Sequence, residues 1–426
     1  NETDPYRVFT RNGVVQRLFQ TLTDESEQGA VDMTLPFEVG FERPLEFQFG
    51  ASTLQKQRVS DTRRYTFEDV RPDKDPELLE ENVEDILADN IGPNGFLPDE
   101  QTLPTDNYEA SQTVQAGYLK TTVPFYGGLE FTGGARYETS RQDVRTFNLY
   151  GSDENVAMLE TIDVLPAYGL TWKVTDSNQI RLAYSETVSR PDFKELSTAP
   201  YLDNERDAII IGNPDLVGSV ITNVDLRWEA YMTATDRVSL GVFYKHFDKP
   251  IEAIVAADAG SQDLRTYENA IAAENLGVEF EFQSQLPGWL RDFSIGSNLA
   301  WIESEIQLDD STAETQKERP LQGQSPYVFN ANLSYEQKKW GTTMTVLYNV
   351  FGERIADVGV QGLPNVVEQP FEQLDFVWSQ KLASNTNFRF RAKNLLNEEV
   401  VFLQDGQPTQ RFRPGWSMSV GLSQTY

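Results

Sequence analysis

Hydrophobic and polar residues alternate along most of this chain. Near its end, Trp416, Met418, Val420, Leu422 and Tyr426 share one parity, and Ser417, Ser419, Gly421, Ser423 and Thr425 share the other. Side chains of a strand alternate faces with a period of two, so one face is large and apolar and the other small and polar. The pattern recurs upstream. Val31, Met33, Leu35 and Phe37 share a face, and Leu45, Phe47 and Phe49 oppose Glu46, Gln48 and Gly50. Val224, Leu226 and Trp228 oppose Asp225, Arg227 and Glu229. Val278, Phe280 and Phe282 oppose Glu279, Glu281 and Gln283, and Phe388 and Phe390 oppose Arg389, Arg391 and Lys393. A row of three cations behind a row of phenylalanines is costly to bury in a sandwich. It sits readily on a wet lumen wall with lipid on the other side. Phe388, Phe390, Trp416, Met418, Val420, Leu422 and Tyr426 are therefore expected to face lipid.

The connections alternate as well. Short turns are expected near 38–43, 126–128, 175–178, 233–235, 287–291, 338–340 and 383–385. Long acidic connections are expected near 61–107, 147–157, 190–219, 254–265, 306–322, 355–370 and 397–411. Short turns on one side and long loops on the other are the plan of an outer-membrane barrel, with the loops outside the cell. The expected fold is all-β: a transmembrane antiparallel outer-membrane β-barrel, with about sixteen strands carried by residues 1–426 as one domain. Within the first long connection, Leu78, Leu79, Val83, Ile86 and Leu87 recur at helical spacing and predict a short amphipathic helix over the barrel mouth.

Composition narrows the function. Aromatic residues reach 12% of 426, as strands and membrane interfaces favour. No apolar run is long enough for a membrane-spanning helix, a test that barrels escape because only alternate residues meet lipid. With no cysteine and one histidine, His246, the chain offers neither disulfides nor a multi-histidine metal site. No nucleophile–base arrangement can be assembled, so no enzyme activity and no cofactor are expected. The formal charge of −30 disfavours nucleic acid as a partner. It fits acidic loops bridged by divalent cations to lipopolysaccharide. The opening residues, Asn1-Glu2-Thr3-Asp4-Pro5, do not read as a signal peptide.

Local motifs have local readings. Gly212-Asn213-Pro214-Asp215 is a turn signal ahead of a strand, and a structural corner is favoured over ligand contact. Arg190-Pro191 ends a strand, with Arg190 favoured as a partner of nearby carboxylates. Asn394 is placed to turn the chain as a strand exits. Arg190, Asp192, Arg319, Gln322 and Arg354 lie where long loops meet strands, and they are the candidate ligand contacts.

Seven segments, in order, resemble the TonB-dependent receptors of Gram-negative outer membranes. They are AYSETVSRPDFKEL (183–196), IIGNPDLVGSVITNVDLRWEAY (210–231), LGVFYKHFDKPIE (240–252), ENLGVEFEFQ (274–283), LQGQSPYVFNANLSYE (321–336), YNVFGERIADVG (348–359) and FRAKNLLNEE (390–399). The resemblance implies a barrel of about twenty-two strands around an N-terminal plug. Neither a plug nor a coupling segment is recognised in this chain, which is therefore expected to be the C-terminal barrel portion of a longer receptor. It further implies binding of a small nutrient at the outer mouth, either a ferric siderophore or a carbohydrate, and energised uptake through the TonB protein. Barrel-assembly machinery is the implied partner of the C-terminal strand, although the family usually ends in Phe and this chain ends in Tyr426. A passive porin or a surface adhesin is the alternative.

Overall fold

The computed structural model describes residues 16–41, 43–71, 83–88, 90–147, 154–203, 208–255, 263–309 and 314–425. It carries a 17-stranded sheet, in which fifteen strands are long and two, Phe96–Glu100 and Glu318–Arg319, are short additions. The long strands are β1 Gln16–Phe37, β2 Leu45–Asp69, β3 Tyr108–Pro124, β4 Leu129–Phe147 and β5 Glu154–Thr175. Then come β6 Asn178–Ser189, β7 Ser219–Tyr231, β8 Arg237–Asp248, β9 Ala272–Gln285 and β10 Phe293–Gln307. The last are β11 Tyr327–Gln337, β12 Thr342–Phe351, β13 Phe371–Ala383, β14 Thr386–Lys393 and β15 Ser417–Gln424. Each pairs antiparallel with the next in chain order, an up-and-down meander. Among the described residues β1 and β15 do not pair with each other, so the sheet does not close into a barrel.

All seven short turns predicted from sequence join consecutive strands. The turn after β3 passes through Gly127 (φ 74°) and Gly128 (φ 76°), a left-handed backbone that a side chain would strain. The long connections are less irregular than expected. The stretch from 61 is not loop at its start: β2 continues to Asp69, because Asp61, Arg63 and Tyr65 keep the alternation on a wholly polar or amphipathic surface. The helix predicted between 78 and 87 is described as α1, Val83–Ala88, with Ile86 and Leu87 buried; Leu78 and Leu79 lie outside the described residues.

Strand lengths are uneven. β1 to β5 run 22, 25, 17, 19 and 22 residues, whereas β14 and β15 have eight each. About 9–11 residues cross a bilayer, so the first five strands continue as a wall well beyond an apolar band. The outward row changes accordingly, from Val31, Met33, Leu35 and Phe37 in β1 to Glu27 and Glu25.

Register sorts the two faces across the whole sheet. Phe388 stands opposite Leu422, Phe390 opposite Val420 and Ala392 opposite Met418; on the other face Arg389 meets Gly421, Arg391 meets Ser419 and Lys393 meets Ser417. Trp416 precedes β15 and is exposed, and Tyr426 lies outside the described residues. Asn394 turns the exiting chain with φ 54°, and its Nδ2 donates to the Gly415 carbonyl at 2.8 Å.

Loops fold onto the polar face. The connection after β6 carries α2, Phe193–Leu196, whose Phe193 and Leu196 pack with Tyr108, Ala110, Val144 and Ala157. Those four belong to the polar rows of β3, β4 and β5, which turn apolar at their upper ends. The Phe193 ring also lies under Lys56 and Arg58, at 5.4 and 5.2 Å from its centroid. A second cluster, Ala270, Ala273, Ile306 and Leu308 with Phe247 and Leu321, anchors the connection after β10 in the same way.

Candidate functional site

Two small sheets are built from the long connections. One has the order Ile251–Val255, Asp263–Asn269, Ala208–Ile210, Tyr201–Asp203. The other has the order Arg354–Asp357, Val366–Glu368, Val400–Gln404, Gln407–Phe412. Between them, and closed below by residues 321–323, lies a cavity of about 1240 Å³. That exceeds the common range for small-molecule sites, roughly 300–1,000 Å³.

The second sheet places a graded row on the cavity wall. Arg354 stands opposite Glu368, Glu368 opposite Phe402, and Phe402 opposite Gln410. Cation, carboxylate, aromatic ring and amide thus follow one another across four strands, and all four line the cavity. Gln404, Thr409 and Phe412 continue the lining. The outer hairpin of this sheet closes through Asp405 (φ 51°) and Gly406 (φ 73°), the residue pair that a two-residue hairpin turn favours.

Every cation of the lining is already engaged. Arg354 Nε donates to Glu368 Oε2 at 2.7 Å, and its guanidinium stacks 4.3 Å from the Phe351 ring centroid. Arg265 is ion-paired with Asp357 across the gap between the two sheets. Below, Arg319 is fully buried and bound to Glu252 and, at 3.3 Å, to Glu314. One guanidinium against two carboxylates leaves an excess of negative charge. Burial accordingly pushes the Glu314 carboxyl above its ordinary range, against the opposing pull of Arg319 and with added repulsion from Glu252. Glu314 Oε1 and Arg319 Nε have no hydrogen-bond partner among the described residues.

These pairs lock the walls together. Gln322 Nε2 donates to the Ala356 carbonyl at 2.7 Å, the Gly323 amide to the Ile355 carbonyl at 2.8 Å, and Glu314 bridges to Val360. Asn365 Nδ2 reaches Gln316 at 2.9 Å. Three connections distant in sequence therefore form one scaffold. What it offers is a roomy hollow whose lining arginines are both ion-paired, with two aromatic rings and several amides.

The five sequence candidates separate. Gln322 and Arg354 line the cavity, and Arg319 lies behind its wall as the centre of the buried cluster. Arg190 and Asp192 belong elsewhere, beneath α2. Arg190 binds Glu138 at 2.7 Å and Asp163 at 2.6 Å, the local pairing favoured from sequence. Asp192 caps α2, accepting from the Lys194 amide at 3.0 Å, and pairs with Arg58 at 3.0 Å. Asn213 forms the expected corner: its Oδ1 accepts from the Asp215 amide at 3.0 Å, and its Nδ2 donates to the Tyr267 carbonyl at 2.9 Å. Sequence reasoning missed Glu252, Arg265, Glu368, Phe402, Gln410 and Phe412. The signal for the last three lies in the sequence, since Asp405-Gly406 with flanking alternation marks a hairpin inside the long connection expected near 397–411.

A family model for the TonB-dependent receptor-like β-barrel matches residues 3–395. No curated protein sequence matches the chain significantly. Among solved structures, the siderophore receptor PiuA from Acinetobacter baumannii aligns with TM-score 0.66 and 12% identity over 96% of this chain and 56% of its own. The ferric yersiniabactin uptake receptor FyuA from Yersinia pestis gives 0.61 and 13%, over 95% of this chain and 54% of its own. The unliganded ferric citrate transporter FecA gives 0.64 and 13%, over 96% and 56%. The chain spans about half the length of these structures, and at such identities the likeness is one of fold. Alternating strands, loops folded onto the polar face and the family match over residues 3–395 converge: this chain belongs to the TonB-dependent receptor β-barrel family.

Proposed function

We propose that this chain is the barrel part of an energised uptake receptor, and that its nutrient seats in the cavity between the two loop sheets. Members of the family are outer-membrane receptors and transporters rather than enzymes, and the chain is an outer-membrane protein. The observation that carries the reading is the row Arg354, Glu368, Phe402 and Gln410 on the wall of a 1240 Å³ hollow. Because the lining arginines are matched by carboxylates, the ligand that fits is large, polar and low in net charge, with an apolar face for Phe402 and Phe412. A ferric siderophore of low net charge meets that description, in line with the printed names of the structural neighbours. A carbohydrate is the second reading, favoured by an aromatic ring directly beside an amide. The passive porin is not favoured by the family match. In this reading TonB supplies the energy through a plug, the apolar rows meet lipid, acidic loops meet lipopolysaccharide, and β15 is read by the assembly machinery.

Binding and uptake test it. Phe402→Ala with Gln410→Ala removes one aromatic face and one amide from the wall. It is expected to weaken binding of the cognate nutrient by about tenfold or more, since a buried aromatic contact is worth roughly 1–3 kcal/mol. Unchanged affinity and uptake in a correctly folded variant would remove the cavity from consideration.

A further inference from the structure

The polar side chains that line the loop cavity divide into two groups. Most are spent on the wall itself. Gln322 Nε2 donates to the Ala356 carbonyl, Gln404 Nε2 to the Pro364 carbonyl at 2.9 Å and Thr409 Oγ1 to the Phe402 carbonyl at 3.3 Å. Arg265 is matched by Asp357, and Glu252 by Arg319. The row across the second sheet differs. Arg354 uses Nε alone, on Glu368, and its Nη1 and Nη2 make no hydrogen bond or ion pair with any described residue. Glu368 accepts on Oε2, and its Oε1 makes no hydrogen bond with a described residue. The Gln410 side chain is exposed and likewise has no hydrogen bond among the described residues.

Arg354 is held in place without being used up. Its Nε bond fixes one edge, and the Phe351 ring, with its centroid 4.3 Å from the guanidinium carbon, covers one face. Its side chain is 33% exposed, against 9% for Arg265. The terminal nitrogens of a fixed guanidinium are a ready fork for a carboxylate. Register then sets distances along the row. Neighbouring strands lie about 4.8 Å apart, so Phe402 stands about 10 Å from Arg354 and Gln410 about 14 Å.

We infer that this row reads an extended ligand with a single acidic end. Its carboxylate sits on Arg354 Nη1 and Nη2, an N–H or O–H reaches Glu368 Oε1, an apolar ring lies against Phe402, and an amide or hydroxyl meets Gln410. The inference rests on the uptake proposal's cavity and adds to it the charge and the order of groups along the ligand. Polyanions are disfavoured. One guanidinium already shared with Glu368 cannot balance further charges beside Asp357 and Glu252, which line the same cavity.

The test uses the purified full chain in detergent micelles and calorimetric titration with benzoyl-Gly-Gly, whose carboxylate lies about 10 Å from its ring when extended. The C-terminal amide of the same molecule removes the charge, and acetyl-Gly-Gly removes the ring. Wild type is expected to bind benzoyl-Gly-Gly about tenfold or more tightly than either, since hydrogen bonds between charged groups are the strong ones. Arg354→Gln is expected to abolish the advantage over the amide. Arg354→Lys, a charge without a fork, is expected to restore only part of it. Exchange protection of the Gly323 amide, whose bond to the Ile355 carbonyl crosses the wall, verifies that each variant keeps its cavity. An equal loss of both benzoyl probes in Arg354→Gln, or an undiminished preference for the carboxylate, makes Arg354 a wall residue and overturns the inference. Absence of benzoyl-Gly-Gly binding to wild type overturns it too, as does tighter binding of benzoyl-Gly-Asp, which carries a second carboxylate. Phe402→Ala keeps the two readings apart. If it weakens both benzoyl probes while Arg354→Gln changes nothing, the cavity stands and the acidic-end reading falls; if neither substitution matters, both fall.

Discussion

Replacing Arg319 by alanine gives the sharpest test of how the loop cavity is held open. The Arg319 side chain has no exposed surface, and its partners Glu252 and Glu314 are 7% and 1% exposed. Truncation leaves two carboxylates facing each other in a dry site with no cation between them. Breaking a buried pair by removing one partner costs about 3–5 kcal/mol. Since 1.4 kcal/mol is tenfold, the loop scaffold is expected to open about a hundred-fold to a few thousand-fold more often. The loss is local, because Arg319 sits in the two-residue strand Glu318–Arg319 that pairs only with the end of β10, outside the ladders that join the fifteen long strands. Hydrogen exchange reads this directly. Amides whose bonds cross the cavity wall, Gly323 to the Ile355 carbonyl and Thr315 to the Gly359 carbonyl, are expected to exchange faster. Those within β11 and β12 are expected to keep their rates. Glu314→Gln serves as the contrast, since it removes the surplus charge without emptying the site and is expected to slow exchange or leave it unchanged. If Arg319→Ala leaves the exchange of Gly323 and Thr315 as in wild type, the cluster is not what ties the walls together.

The same cluster makes the scaffold sensitive to acid. Burial raises the Glu314 carboxyl above 4.5, so the folded loop binds this proton more tightly than the unfolded chain does. The penalty of the buried charge is present in full above the raised pKa. It is relieved as pH falls toward 4.5, so the protection of the Gly323 amide relative to its intrinsic exchange rate at each pH should rise over that window, and protection that falls there would contradict the assignment. Leu422→Arg puts a charge on the apolar face at a cost of about 2–4 kcal/mol at mid-depth, whereas Ser423→Arg points to the polar face. Heat-modifiable folded protein in outer-membrane fractions should fall for the first and persist for the second; equal loss would count against this facing. Arg190→Ala strips a charged partner from Glu138 and Asp163, worth about 1.5–3 kcal/mol. Limited proteolysis should then cut the α2 connection faster without altering nutrient affinity, and a change in affinity alone would make Arg190 a ligand contact instead.

Much of this protein is written in a period of two. Alternation is local, so the sequence alone determined the long strands of the meander, the seven short turns, the two faces and the antiparallel order. Phe388 and Arg389 are assigned opposite faces by being adjacent, and the register of β14 with β15 follows from matching apolar rows. Asn394 and Asn213 were legible for the same reason, since a turn is decided by a few neighbouring residues. The cavity was not legible. Arg319 meets Glu252 across 67 positions, and Arg265 meets Asp357 across 92. No spacing rule links residues in separate loops, and each carboxylate read alone in an acidic connection looks like a solvated charge. Gln322 and Arg354 were placed by their position at strand ends, but Arg319, with the same signal, went behind the wall. Only the tertiary structure decided between lining and buried support. Burial of an ion pair depends on how three loops close over it, and that closure is settled by long-range packing on the polar face.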